Sequence, residues 1–186
     1  MALTPSTMYL ELGTKAPEFT LTDTISSKKL SLSELKSDIA TVIMFMCNHC
    51  PYVIHMNDEL VRLPKEYKGK GISFIGISSN DADTYPDDSP IRMKEIAEKL
   101  GYIFPYLYDE SQSVAKAYGA ACTPDFFIFD KDLKCIYRGQ LDNSRPGNDI
   151  PVSGKDIRNA LDNILASKPV DSNQKPSIGC NIKWKK

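Results

Sequence analysis

Residues 41–53 read TVIMFMCNHCPYV, and no other stretch restricts the fold as much. An unbroken apolar run over 41–46, rich in β-branched residues, suits a strand buried on both faces. From Pro51 onward apolar residues return at helical spacing, at Val53, Ile54, Met56, Leu60 and Leu63. Two cysteines spaced C-x-x-C, Cys47 and Cys50, therefore sit at a strand-to-helix junction. The free N–H groups and the positive end of the macrodipole at a helix start favour a negative charge. Cys47, the more N-terminal thiol, is expected to be the thiolate, lowered from about 8.5 into the range ~3.5–7.5. One helical turn brings Cys50 back beneath it, within reach of a disulfide. The chemistry that follows is exchange: Cys47 attacks a target disulfide, and Cys50 then displaces the mixed disulfide. His49, between them, is expected to tune the pair by hydrogen bonding or, when protonated, by its positive charge.

The rest of the chain alternates strands and helices. Phe19 and Leu21 alternate with polar residues, Ser26 and Ser27 suit a turn, Leu30 lies on a second short strand, and Ser31 caps a helical turn. This forms an N-terminal hairpin ahead of the cysteine strand. The helix after Cys50 is expected to reach Tyr67, with Pro64 as a potential kink, and Gly69 and Gly71 stop it. Residues 72–78 are a second buried strand, so strand, helix and strand form a parallel crossover. Residues 80–90, NDADTYPDDSP, read as a solvated acidic loop lacking the glycine and glutamate positions of a calcium loop. A helix over 91–100, an extended piece at 105–108 and a helix capped by Ser111 and stopped by Gly119 come next. Residues 125–129 and 133–138 form a hairpin. A long polar loop follows over 140–153, then a helix over 154–167. The tail is polar until Ile178, Cys180, Ile182 and Trp184 alternate, which predicts an extended segment laid over the body.

Composition narrows the function. The chain of 186 residues can bury a core without cross-links, and Lys+Arg 23 against Asp+Glu 24 leaves no charge excess to draw nucleic acid. The start carries no basic segment followed by an apolar run, and no stretch approaches spanning length, so a soluble, cytoplasmic protein without membrane partners is expected. Five cysteines do not suggest a disulfide framework in a chain of this size.

The order strand, CNHC, helix, strand, helix, Thr123-Pro124, hairpin and final helix resembles the redoxin branch of the thioredoxin-like superfamily. That branch includes the TlpA/ResA-type proteins and the AhpC/TSA peroxiredoxins, and its N-terminal hairpin is announced by a sequence like GTKAPEFTLTD. The resemblance implies an α/β fold with a central mixed β-sheet flanked by helices and an N-terminal β-hairpin extension. It covers residues 13–167, with 1–12 as an N-terminal segment and 168–186 as a tail packed on the domain. It further implies Cys47 as attacking thiol, Cys50 as resolving thiol, and Pro124 as a cis-proline facing the disulfide, with Thr123 offering its backbone to an extended substrate. Protein thiols and disulfides, and an upstream thiol reductant or oxidant, are the implied partners; no cofactor is implied.

Three departures qualify the resemblance. Met46 stands where thioredoxins often carry tryptophan. The strand before the motif offers Thr41 and no carboxylate, so the proton acceptor for Cys50 is unassigned; Asp58 and Glu59 would need the fold to bring them round. A peroxidatic motif P-x-x-x-[TS]-x-x-C would require proline and a hydroxyl at Ala40 and Met44 before Cys47, or at Ile43 and Cys47 before Cys50, and neither set fits. An antioxidant thiol peroxidase and a non-catalytic binding module remain as alternatives. Zinc would have to use Cys47, His49, Cys50 and His55 from one turn and one helix, so no metal is expected. Haem attachment would need histidine at Pro51. Cys122, two residues before Pro124, is a core thiol or a third redox thiol; Cys135 is expected in the core, and Cys180 to be a packed thiol, with a swing to the redox pair or pairing with another chain as its alternatives.

Overall fold

The computed structural model describes residues 3–186. In chain order the elements are β1 (Leu3–Pro5), β2 (Thr20–Asp23), β3 (Lys29–Ser31), α1 (Leu32–Leu35), β4 (Ala40–Phe45), α2 (Pro51–Glu66), β5 (Ile72–Ser78), a 3₁₀ turn (Pro86–Asp88), α3 (Pro90–Leu100), β6 (Tyr106–Tyr108), α4 (Ser113–Tyr118), β7 (Cys122–Thr123), β8 (Asp125–Asp130), β9 (Cys135–Gly139), α5 (Lys155–Leu165) and β10 (Ile178–Asn181). Seven strands form the main sheet in the order β3-β2-β6-β5-β4-β8-β9. β5 runs parallel to β4 and to β6, and the remaining neighbours are antiparallel. β4 is central, and every one of its residues is buried.

Alternation along β4 builds two cores. Ala40, Val42 and Met44 enter one cluster with residues of α2, α3 and α5, while Ile43 and Phe45 enter the other with residues of α1 and α4. Burying each such large side chain contributes roughly 1.5–3 kcal/mol. The N-terminal hairpin is β2 and β3, its turn held by Ser26 N–H donating to Asp23 Oδ2 at 2.9 Å. Ser31 caps α1, and Glu34 completes a capping box with it. α2 continues through Pro64 to Glu66, and α3 ends at Gly101 in the left-handed conformation, φ 73°.

Two local expectations change. Ser111 does not cap α4: the helix starts at Ser113, and the buried carboxylate of Asp109 accepts from Ala115 N–H at 3.0 Å. The start of the chain also carries β1, which the polar sequence does not announce, because its order comes from pairing with β10. β10 in turn pairs with β7, so a second sheet of order β1-β10-β7 lies against the cysteine site.

Candidate active site

β4 and β5 are parallel neighbours in register, Phe45 opposite Ile77, so the loops that leave their C-terminal ends lie side by side. The first carries Cys47-Asn48-His49-Cys50; the second carries the 80–89 loop. Pro51 is the first residue of α2 and Cys50 its N-cap, as the fixed φ and missing N–H of proline favour. The helix start thus belongs to Cys50, with Cys47 three residues ahead of it, a correction to the expectation that Cys47 occupies the helix head.

Both sulfurs are buried, Cys47 at 1% and Cys50 at 0% exposure. Each thiol acts on the ionisation of the other, in opposite directions. Cys50, then burial and the negative charge of Asp88, push the Cys47 thiol well above its ordinary value. Cys50 is lowered to about 5 by Cys47, with burial opposing it and Cys180, Thr123 and the Val53 N–H reinforcing it. Against the expectation of a thiolate at Cys47, the helix N-terminus favours negative charge at Cys50, and the carboxylate near Cys47 disfavours it there.

Thr123-Pro124 is a cis peptide bond. Thr123 Oγ1 lies 3.4 Å from Cys47 Sγ, and the Thr123 carbonyl 3.2 Å from Cys50 Sγ. Thr123, expected to offer its backbone to an extended substrate, pairs here with Cys180 of β10. Cys122 turns its sulfur to the Pro124 carbonyl at 3.8 Å, and the thiol that lowers the Cys50 pKa from the tail is Cys180, opposite Thr123 in β10. Cys135 is buried in β9, and burial lifts its thiol to about 11.

His49 addresses Asp88 and not a sulfur. Its Nδ1 lies 2.6 Å from Asp88 Oδ2, and its ring stacks on Tyr85 with centroids 5.6 Å apart. The pairing raises the His49 pKa, and the Asp88 pKa is held low against the effect of burial by His49, Asn80 and the Asn48 N–H. Asp88 is fully buried. Its Oδ1 accepts from Asn48 N–H (2.8 Å) and His49 N–H (3.3 Å), and its Oδ2 from Asn80 Nδ2 (2.7 Å). The 80–90 segment is thus no simple solvated loop: it delivers the acid that fixes the CNHC turn. Sequence reasoning missed Asp88, yet a signal existed, since polar residues after adjacent parallel strands converge where such folds place their sites.

Of the residues weighed as zinc ligands, His55 is held away from the others. His55 Nε2 lies 2.7 Å from Ser144 Oγ on the 140–153 loop. Donor atoms of Cys47, His49 and Asp88 do lie within 4.8 Å of one another, but the carboxylate already accepts from three N–H groups and pairs with His49. The cluster is a hydrogen-bonded support for the turn. Glu59 is buried and paired with Arg62 and Arg158, and Asp58 is exposed, so neither acts at Cys50. Access from solvent is beside α3, where a pocket of about 230 Å³ is lined by Cys47, Asn48, Ile54, Ile96, Lys99 and Tyr102 among others.

A mixed sheet with C-x-x-C at the end of a central parallel strand, facing a cis-proline, defines a thioredoxin-like protein. The chain belongs to the AhpC/TSA family, whose model matches residues 12–138, and it lies in the redoxin branch of that superfamily. Thiol-disulfide oxidoreductase ResA of Bacillus anthracis is 30% identical over 129 residues, 68% of each chain. An uncharacterized conserved protein of Geobacillus kaustophilus is 62% identical with a TM-score of 0.97, covering 100% of this chain and 97% of that one. A hypothetical protein of Sinorhizobium meliloti 1021 is 44% identical with a TM-score of 0.94, covering 98% of each. Among the described residues no helix is long and apolar enough to cross a membrane.

Proposed function

We propose that this chain is a thiol-disulfide oxidoreductase that exchanges protein disulfides through Cys47 and Cys50. The observation that carries the reading is the placement of both sulfurs against Thr123 at the cis-proline, Cys47 Sγ 3.4 Å from its Oγ1 and Cys50 Sγ 3.2 Å from its carbonyl oxygen. Cys47 is the sulfur on the pocket, and Cys50 lies beneath it. As Cys47 closes on a target disulfide its proton passes to Cys50. A bond forms from Cys47 to one target sulfur, and the other target sulfur leaves as a thiolate. That thiolate takes the proton back from Cys50, which attacks Cys47 Sγ, closes the Cys47–Cys50 disulfide and expels the second target sulfur, protonated by solvent. Two electrons pass to the target; the reverse sequence oxidises a dithiol. The proton acceptor left open by the missing carboxylate in β4 is, in this scheme, the leaving sulfur itself. Similarity to ResA, an oxidoreductase of this type, supports the assignment.

The test is equilibration of the dithiol protein with a glutathione redox series, followed by peptide mapping, together with partner trapping in Cys50→Ala. A reversible Cys47–Cys50 disulfide and covalent complexes held through Cys47 support the reading. Failure of the two sulfurs to join at any glutathione ratio defeats it.

Thiol peroxidase activity is the second reading. Thr123 Oγ1 beside Cys47 provides a hydroxyl that Ala40 and Met44 do not. Peroxide consumption lost in Cys47→Ser, and faster than disulfide exchange, would favour it.

A further inference from the structure

The tail beyond α5 brings a third thiol to the inner side of the cysteine pair. β10 lies between β1 and β7, with Cys180 opposite Thr123 and Asn181 opposite Cys122. A Cβ on Gly179 would stand 1.9 Å from the Thr123 carbonyl oxygen and 3.2 Å from Pro124 N, so glycine alone lets the strand approach the cis-proline this closely. The segment is fixed on both sides of Cys180. Ser6 N–H donates to the Ser177 carbonyl at 2.8 Å before it, and Ile182 N–H to the Ala121 carbonyl at 3.1 Å after it. Lys183 N–H donates to Asn80 Oδ1 at 2.8 Å, and Gln112 Nε2 to the Lys183 carbonyl at 2.8 Å. Cys180 is 4% exposed and belongs to the same core cluster as Cys47 and Cys50.

We propose that Cys180 is a third exchanging thiol, which attacks Cys50 Sγ of the oxidised pair and moves the disulfide from Cys47–Cys50 to Cys50–Cys180. The Cys47–Cys50 bond breaks as the Cys50–Cys180 bond forms, the electron pair leaves on Cys47 Sγ, and the Cys180 proton passes to Cys47 or to solvent. One disulfide exists before and after, so no oxidant is consumed. Cys47 returns to the reduced state on its pocket while the oxidising equivalent is held beneath the tail. Its neighbour for this step is already in place, since Cys180 lies opposite Thr123, whose carbonyl oxygen is 3.2 Å from Cys50 Sγ, in the core cluster that holds both sulfurs. The inference rests on the reading of Cys47 and Cys50 as the exchanging pair.

Oxidation of the full chain with diamide, alkylation of the remaining thiols and peptide mapping test it. The wild type should yield both Cys47–Cys50 and Cys50–Cys180 peptides. Cys47→Ser should yield Cys50–Cys180 at least about tenfold above Cys50–Cys135, as a partner held at high effective concentration requires. Cys50→Ala should leave Cys180 open to alkylation once the chain is unfolded. Cys47–Cys50 in the wild type with no Cys50–Cys180 peptide in any sample overturns this proposal and leaves the pair intact. Absence of both linkages overturns the two together. The wild-type measurement stands whether or not the variants fold.

Discussion

His49 Nδ1 lies 2.6 Å from Asp88 Oδ2, which ties the turn between the two cysteines to the loop after the neighbouring parallel strand. Asp88 is fully buried and accepts from two turn amides and from Asn80 besides. Asp88→Ala leaves those donors unpaired and should cost roughly 3–5 kcal/mol in urea unfolding, as breaking a buried charged pair does. Asp88→Asn should cost less. In both variants Cys47 should ionise more readily, because a negative charge beside it is gone. Ultraviolet titration of thiolate absorbance reads this, and an unchanged curve would remove Asp88 from any role in tuning the pair.

The same pair sets a pH window. The His49 pKa is raised from 6.5, chiefly by its bond to Asp88, so its contribution is complete below 6.5 and is lost as pH rises through the folded value. The Asp88 pKa is lowered from 3.8, so its contribution is present above 3.8 and is lost as pH falls through the folded value. His49→Gln should therefore flatten the loss of stability on the alkaline side of 6.5, measured as the urea midpoint against pH.

Asp125 behaves in the opposite sense. It is buried directly after Pro124, where Ser6 Oγ donates to its Oδ2 at 3.0 Å, and burial raises its pKa from 3.8 to about 7. Stability tied to the protonated carboxyl is full below 3.8 and is lost as pH rises through about 7. Asp125→Asn keeps an acceptor oxygen without the charge. It should gain on the order of a few kcal/mol over the wild type at about pH 8 and nearly nothing at about pH 4. A variant no more stable at the higher pH would mean that the carboxylate is better solvated than its burial implies.

Titration of the reduced pair should show two well-separated steps that belong to the couple. The first is expected at about 5 and the second well above the ordinary 9.0. Cys50→Ser removes the thiol that raises Cys47, so the remaining Cys47 step should move down from its raised position. A single step near the ordinary value in the wild type would show that neither thiol acts on the ionisation of the other.

Gly179→Ala places a methyl group 1.9 Å from the Thr123 carbonyl oxygen. The strand must withdraw, at a cost of about 1–3 kcal/mol typical of overpacking. Alkylation of Cys180 in the native protein should then accelerate together with the loss of stability. Stability lost without any gain in Cys180 reactivity would place the strain elsewhere than at the tail.

Much of this architecture is legible along the chain. Residues 41–46 and 72–78 announce buried strands because each is apolar on both faces, and Val53, Met56, Leu60 and Leu63 announce α2 because they recur on one helical face. The alternation of Ile178, Cys180, Ile182 and Trp184 likewise marks the tail as extended, though of the four only Cys180 and Ile182 are buried and Trp184 is exposed. Periodicity reports which face of an element meets the core, and it names no neighbour. That Asp88 would reach the CNHC turn depends on β5 lying parallel beside β4, and that Cys180 would meet Cys50 depends on β10 entering between β1 and β7. The surroundings of the two sulfurs were decided this way too: Pro51 marks the helix start from sequence, while the carboxylate near Cys47 and the thiol near Cys50 come from segments distant in the chain. Local pattern determined the strands, the helices and the cysteine pair; long-range pairing decided which groups surround that pair, because electrostatics follows distance in space and not separation along the chain.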